Sequence, residues 1–136
     1  MPNYDDIFAM SFDRVLHDGA YSPALISDFY KVFLAASPDV ADKFAQTDMA
    51  AQRTMLHDSL NTLVDFFRTR VPSPQLQKLA EIHSRGAHDI PPAYYDIWLN
   101  SLVTALSRHD PEFNEAVELA WRIALAPGIT YMRFAY

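Results

Sequence analysis

Four short signals of one kind constrain this chain more than anything else in it. Ser22-Pro23, Ser37-Pro38, Ser73-Pro74 and Asp110-Pro111 each place a capping residue before a proline. A Ser or Asp side chain can accept from the unpaired N–H groups of a first helical turn. Proline suits the position after it, because it has no N–H to leave unsatisfied there. Each signal leads into apolar residues at helical spacing, and no stretch alternates in the manner of a strand. The pattern predicts an all-α fold.

The spacing divides the chain into seven helices. The first is expected over Tyr4 to His17, inward through Ile7, Phe8, Phe12, Val15 and Leu16, with Gly19 as its stop. A second runs from Pro23 to Ala36 on Ile26, Tyr30, Phe33 and Leu34. A short third, Pro38 to Phe44, buries Val40 and Phe44. Thr47 is the expected cap of a fourth helix reaching Arg68, whose stripe is Met49, Leu56, Leu60, Leu63 and Phe67 with Gln52 on the same side. The helix holding His83 follows, and then one from Pro91 to Arg108 on Tyr95, Trp98, Leu99, Leu102, Val103 and Leu106. The last is expected from Pro111 towards Tyr136 on Phe113, Val117, Trp121, Ala124 and Leu125. Pro127-Gly128 should kink or break it, since proline removes one backbone bond and clashes with the preceding turn.

Composition narrows the function classes. At 136 residues the chain is expected to be one domain, 1–136, with one core. The formal net charge is −6 and the eleven Lys and Arg are scattered, which argues against nucleic acid or an anionic membrane as partner. With no cysteine there is no disulfide, thiolate metal site or Cys nucleophile. No apolar run reaches the ~20 residues of a membrane span, and MPNYDD is not a signal peptide, so a cytoplasmic protein is expected. No Ser-His-Asp set, phosphate loop or persuasive carboxylate pair is present, and no catalytic residue is assigned.

The chemistry concentrates between Leu76 and Tyr95. Leu76, Leu79, Ile82 and His83 recur at helical spacing, which puts the histidine on an apolar stripe, and Gly86 reads as the helix stop. Taken alone, His83 is an ordinary core histidine with a hydrogen bond. Tyr30, Phe44 and Gln52 upstream change that, being spaced like the opposite wall of a pocket.

Those residues carry a resemblance. The frame YKVFLAASPDVADKF, with Tyr30 fourteen residues and Pro38 six residues before Phe44, resembles the globin stretch that ends in the haem-stacking phenylalanine. Gln52 stands where globins carry the distal residue, and Leu56, Leu60, Leu63 and Val64 repeat the spacing of the distal helix. LAEIH, ending in His83, is similar to the proximal-histidine helix, and Ile90-Pro91 to the corner after it. Tyr30 with Gln52, and the C-terminal AWRIALAPGITYM, are more similar to bacterial single-domain globins and the globin modules of flavohaemoglobins than to animal oxygen carriers.

The resemblance implies haem b, held by neutral His83 as iron ligand. Phe44 and Leu56 would pack its distal face, and Leu79, Ile90, Tyr95 and Trp98 its proximal side and the pocket floor. The implied ligands are diatomic gases: oxygen, carbon monoxide and nitric oxide. Tyr30 and Gln52 would donate to oxygen, which acquires partial superoxide character and accepts hydrogen bonds better than carbon monoxide does. Reversible oxygen binding is the implied function. A nitric oxide dioxygenase or peroxidase-like enzyme fed by an external reductase is an alternative, as is a globin-fold sensor. Monomer and homodimer both stay open. Of the other polar residues, His57 reads as wedged against a neighbouring helix and not as an iron ligand. His17 and His109 read as surface or helix-end residues. His88, Arg85 and Arg53 read equally as propionate partners or as solvated side chains.

Overall fold

A computed structural model describes residues 3–17 and 20–136. Seven helices make up the described chain: α1 (Tyr4–Val15), α2 (Pro23–Ala36), α3 (Pro38–Lys43), α4 (Met49–Thr69), α5 (Pro74–His83), α6 (Ala93–His109) and α7 (Glu115–Phe134). α1 stops two residues short of the expected His17. Leu16–His17 instead pairs antiparallel with Ala20–Tyr21, a two-residue ladder too short to carry an alternating signal. Gly19, the expected stop, lies outside the described residues.

Three of the four cap-proline signals do start helices, at Pro23, Pro38 and Pro74. Only Ser73 caps with its side chain, accepting from the Leu76 amide; Ser22 and Ser37 make no such bond. At those two the fixed φ of proline is the contribution that remains. The cap of α4 is Asp48, not Thr47, and its carboxylate accepts from the amides of Ala50 and Ala51. α6 begins at Ala93, two residues after the expected Pro91, and α7 begins at Glu115, capped by Asn114. α7 is not broken at Pro127 but continues as helix to Phe134.

Two helix pairings frame the interior. α2 lies on α6, and α7 is gripped between α1 and α4. Trp121 is fully buried, with Phe8 edge-on to it at 4.9 Å between ring centres. Gly128 permits the close approach of α7 to α4, because a Cβ there would fall 2.3 Å from Cδ2 of buried Leu63.

Asp110 explains why the fourth signal fails. Its carboxylate is wholly enclosed and caps only the turn at 111–112, its remaining bonds going to α1. It accepts from Arg14 Nε at 2.7 Å, Arg14 Nη2 at 2.9 Å, Ser11 Oγ at 2.5 Å and the Glu112 amide at 3.0 Å. Ser11 in turn accepts from Trp121 Nε1 at 2.8 Å. Burial pushes the carboxyl upward, but the Arg14, Ser11 and Glu112 donors outweigh it and hold Asp110 below the ordinary carboxylate range.

This lock generates a stability prediction. Asp110→Ala leaves Arg14 and Ser11 without their acceptor and should cost about 3 kcal/mol at pH 7. Because the folded pKa is depressed, the contribution is present above the unfolded value near ~4 and is lost as pH falls through the folded value. Urea unfolding at pH 7 and pH 3 should therefore show a gap between the two proteins that narrows in acid. A gap independent of pH would mean that the site acts by packing alone.

Candidate functional site

A cavity of about 340 Å³ opens between α2, α4, α5, α6 and the inner side of α7. Every site residue expected from the sequence lines it: Tyr30, Phe44, Gln52, Leu56, Leu79, His83, Ile90, Tyr95 and Trp98. The helices explain how. α4 presents Gln52, Met55, Leu56, Ser59 and Leu63, positions three to four apart on one face. α5 adds Leu79, Ile82 and His83 across from them, with its own Leu76 and Ala80 anchored in the core.

His83 is the last residue of α5, and its imidazole is fixed from below. Nδ1 lies 2.8 Å from the Leu79 carbonyl, one turn back, and must donate to it. The proton is thereby placed on Nδ1, and the Nε2 lone pair is left with no hydrogen-bond partner among the described residues. Burial lowers the pKa of the ring, more than the Leu79 bond raises it, so the neutral form prevails. A neutral imidazole with one committed nitrogen and one bare nitrogen on a cavity wall is a ligand in waiting.

The helix does not end at Gly86 as expected. Ser84 closes it, and residues 84–88 form turns. The His88 amide bonds to the Ile82 carbonyl, the Asp89 amide to Ser84 and the Ile90 amide to His83, each within 3.0 Å. The left-handed residue in the turn is Asp89, with φ of 50°, a region that its short carboxylate side chain tolerates better than most. Two outside groups hold the same turn. Lys43 Nζ donates to the carbonyl of Asp89 at 3.0 Å and of His88 at 3.4 Å, and the Tyr136 hydroxyl donates to the Asp89 carboxylate.

The facing wall is aromatic. Phe44, the residue that ends α3, meets Phe33 edge-on at 5.8 Å and Tyr30 at 6.2 Å. The Tyr30 hydroxyl donates to the main-chain carbonyl of Gln52 at 3.1 Å, so its one proton is already committed. Burial drives its pKa up to about 12, which keeps that proton in place. The Gln52 amide makes no hydrogen bond among the described residues and lines the cavity.

The remaining candidates separate cleanly. His88 lines the cavity together with Lys43, at its polar rim. Arg85 stands 4.8 Å over the Tyr136 ring, and neither it nor Arg53 lines the cavity. His57 lies edge-on to Tyr21 at 5.4 Å with Nδ1 beside Asp58, away from the slot, and its Nε2 is buried without a partner. His109 bonds to Asp28 at the end of α6. The side chain of His17 lies outside the described residues. Sequence reasoning missed Ile129 and Met132 of α7 as cavity residues. Their three-residue spacing on the stripe begun by Leu125 could have found them.

A flat apolar macrocycle with one axial nitrogen and two carboxylates at its edge fits these residues. The walls are apolar, the bare nitrogen is that of His83, and the rim carries the Lys43 cation with His88 beside it. Nothing in the described residues offers an alternative metal cluster of His, Asp and Glu. No described helix is long and apolar enough to cross a membrane.

Comparison with known proteins agrees with this geometry. The family model described as Globin matches residues 27–131. A solved structure from Pseudomonas aeruginosa PAO1, described as structurally highly homologous to a human haemoglobin, is 36% identical. The likeness covers 98% of both chains with a TM-score of 0.88. No curated protein matches. The family model spans most of the chain and the solved relative spans nearly all of it, so the chain belongs to the globin family, whose cofactor is haem.

Proposed function

We propose that the chain is one globin domain of the cytoplasm that holds haem b through His83 and binds oxygen reversibly. The observation that carries the reading is the His83 imidazole, with Nδ1 committed to the Leu79 carbonyl and Nε2 bare on the wall of an apolar slot. When bound, haem supplies a ferrous iron that takes up and releases diatomic gases. Leu79, Ile90, Tyr95 and Trp98 would flank the proximal side, and Phe44 and Leu56 the distal side, excluding water from the reacting centre.

The distal donors differ in what they can give. The Gln52 amide is uncommitted and can donate without losing a bond. Tyr30 must first release the Gln52 carbonyl, so its net contribution is the difference between two hydrogen bonds. The Gln52 carbonyl also serves α4 as helix acceptor and does not go unsatisfied when the hydroxyl leaves. Tyr30 therefore swings at low cost.

A second reading, nitric oxide dioxygenation with an external reductase, is favoured by the same two donors, which would retain oxygen long enough to be attacked. Peroxidase-like chemistry draws less support. An anionic partner on the proximal imidazole raises its basicity, and here the partner is a neutral carbonyl. A module that had shed its cofactor would have no use for a neutral histidine beside an open apolar slot.

Three outcomes test the reading. His83→Ala should abolish tight haem binding, seen as loss of the intense near-ultraviolet haem band, and added imidazole should restore it. An unchanged spectrum would remove His83 as the ligand. Stripping haem should lower the melting temperature and expose the α5 amides to exchange most, because the cofactor binds only the folded state. Equal melting curves would sink the idea that the slot is built for it. Tyr30→Phe should speed oxygen release about five- to thirtyfold, the equivalent of ~1–2 kcal/mol, and leave carbon monoxide release nearly unchanged. Gln52→Leu should act in the same direction. Stopped-flow rates unaltered by both changes would reduce the distal wall to packing.

A further inference from the structure

The turn that follows His83 has no core of its own. Arg85, Gly86, Ala87, His88 and Asp89 are all exposed, so no buried side chain anchors them. Asp89, at φ of 50°, holds a conformation that costs a non-glycine residue free energy unless its surroundings fix it. Segments with so little apolar contact open locally before the rest of a fold does. Yet this one joins His83, the last residue of α5, to Ile90, and both line the slot. If the turn drifts, His83 drifts with it.

Lys43 meets that weakness from the opposite wall. It is the last residue of α3, a helix that packs on α2 and is pinned by the fully buried Val40. Phe44, the next residue, lines the slot. The Lys43 ammonium crosses the rim and donates to two successive carbonyls, of Asp89 at 3.0 Å and of His88 at 3.4 Å. Among the described residues no other side chain of α2, α3 or α4 makes a hydrogen bond to residues 84–89. Tyr136 holds the turn from the far side, through the Asp89 carboxylate and the Arg85 amide. Lys43 has no acidic partner among the described residues, so its charge goes to carbonyl dipoles beyond a helix C-terminus, which favour a cation. An ammonium has three N–H groups, so two can stay on the turn while one serves a carboxylate at the rim.

We propose that Lys43 is a positioning residue for the axial nitrogen. It ties the α3 end of the distal wall to the turn behind His83, and so fixes both the slot mouth and the place of the imidazole. What this does for haem rests on the reading above; the hold on the turn does not. A mere partner of the haem carboxylates would act on the cofactor, whereas a tie acts on the protein.

Two substitutions at this exposed site separate the roles. Lys43→Met keeps the apolar stem and removes the donors, and Lys43→Arg keeps a cation that can reach two carbonyls at once. Melting temperatures should stay near wild type in both. The amides of His88, Asp89 and Ile90 bond to Ile82, Ser84 and His83 within the turn. In Lys43→Met those three should exchange hydrogen about fivefold faster, and in Lys43→Arg at close to the wild-type rate. The Leu76 amide, capped by Ser73 at the other end of α5, should not change. Release of haem to an excess of a haem-free acceptor should also speed about fivefold in Lys43→Met, the loss of one hydrogen bond, and by the same factor for haem dimethyl ester, which lacks the carboxylates. Faster release of haem alone would make Lys43 a carboxylate partner and overturn the proposal. Unchanged exchange at the three amides would overturn it as well. Failure of the wild-type chain to take up haem would count against the haem reading, while the exchange rates would still decide the tie.

Discussion

One hydrogen bond organises the slot: His83 Nδ1 on the carbonyl of Leu79. A buried histidine has three states, and two of them are useless as a ligand. The cation has no lone pair, and the other neutral tautomer would point its lone pair at the helix. The carbonyl one turn back selects the remaining state, while burial disfavours the cation. The bond needs α5 to stay helical through its last residue. That explains the elaboration of the turn beyond it, where three amides fold back on Ile82, His83 and Ser84 and where Lys43 and Tyr136 tie the loop from outside.

An apolar slot is itself a liability. Side chains lining a void lose dispersion contacts on one side, and the loss grows with volume at roughly 24 cal/mol per Å³. The side chains around the slot of about 340 Å³ give up such contacts wherever they face it. The fold meets the loss with interactions placed away from the slot. The enclosed Asp110, bonded to Arg14 and Ser11 and through Ser11 to Trp121, fastens α1 to α7 on the far side. The aromatic cluster of Phe8, Phe12 and Trp121, edge-on between Phe8 and Trp121 and tilted elsewhere, does the same by packing.

The parts of this that were legible in the sequence are those fixed within a few residues. Proline after serine starts three helices because φ is set locally. The stripe of α4 keeps Leu56, Leu60 and Leu63 inward, while α2 buries Leu25 and Phe29 beside the expected Ile26, Tyr30 and Phe33 and leaves Leu34 half-buried. Asp110 misled because its partners are Ser11 and Arg14, 99 and 96 residues distant, and no local rule sees them. Thr47 lost to Asp48, a neighbour with the same capping chemistry and the stronger acceptor. In the pocket, the globin resemblance carried by Tyr30, Phe44, Gln52 and His83 implied nine positions, and all nine line the slot. The resemblance could not reveal that the Tyr30 proton belongs to the Gln52 main chain, because a backbone carbonyl leaves no trace in the side-chain pattern.

α7 shows why the sequence's least helical pair sits in its longest-range helix. Proline costs about 3 kcal/mol and glycine about 1 kcal/mol within a helix, so Pro127-Gly128 should have ended this one. It does not, and the two residues face opposite demands. Gly128 looks inward, where any Cβ would collide with Leu63, and Leu63 lines the slot beside Ile129 and Met132. Pro127 looks outward, beside Ile123 and Thr130. Helical continuity through the pair is maintained by the packing of α7 on α4 and α1. The weak local propensity is the consequence of bringing this helix unusually close to α4 at Gly128.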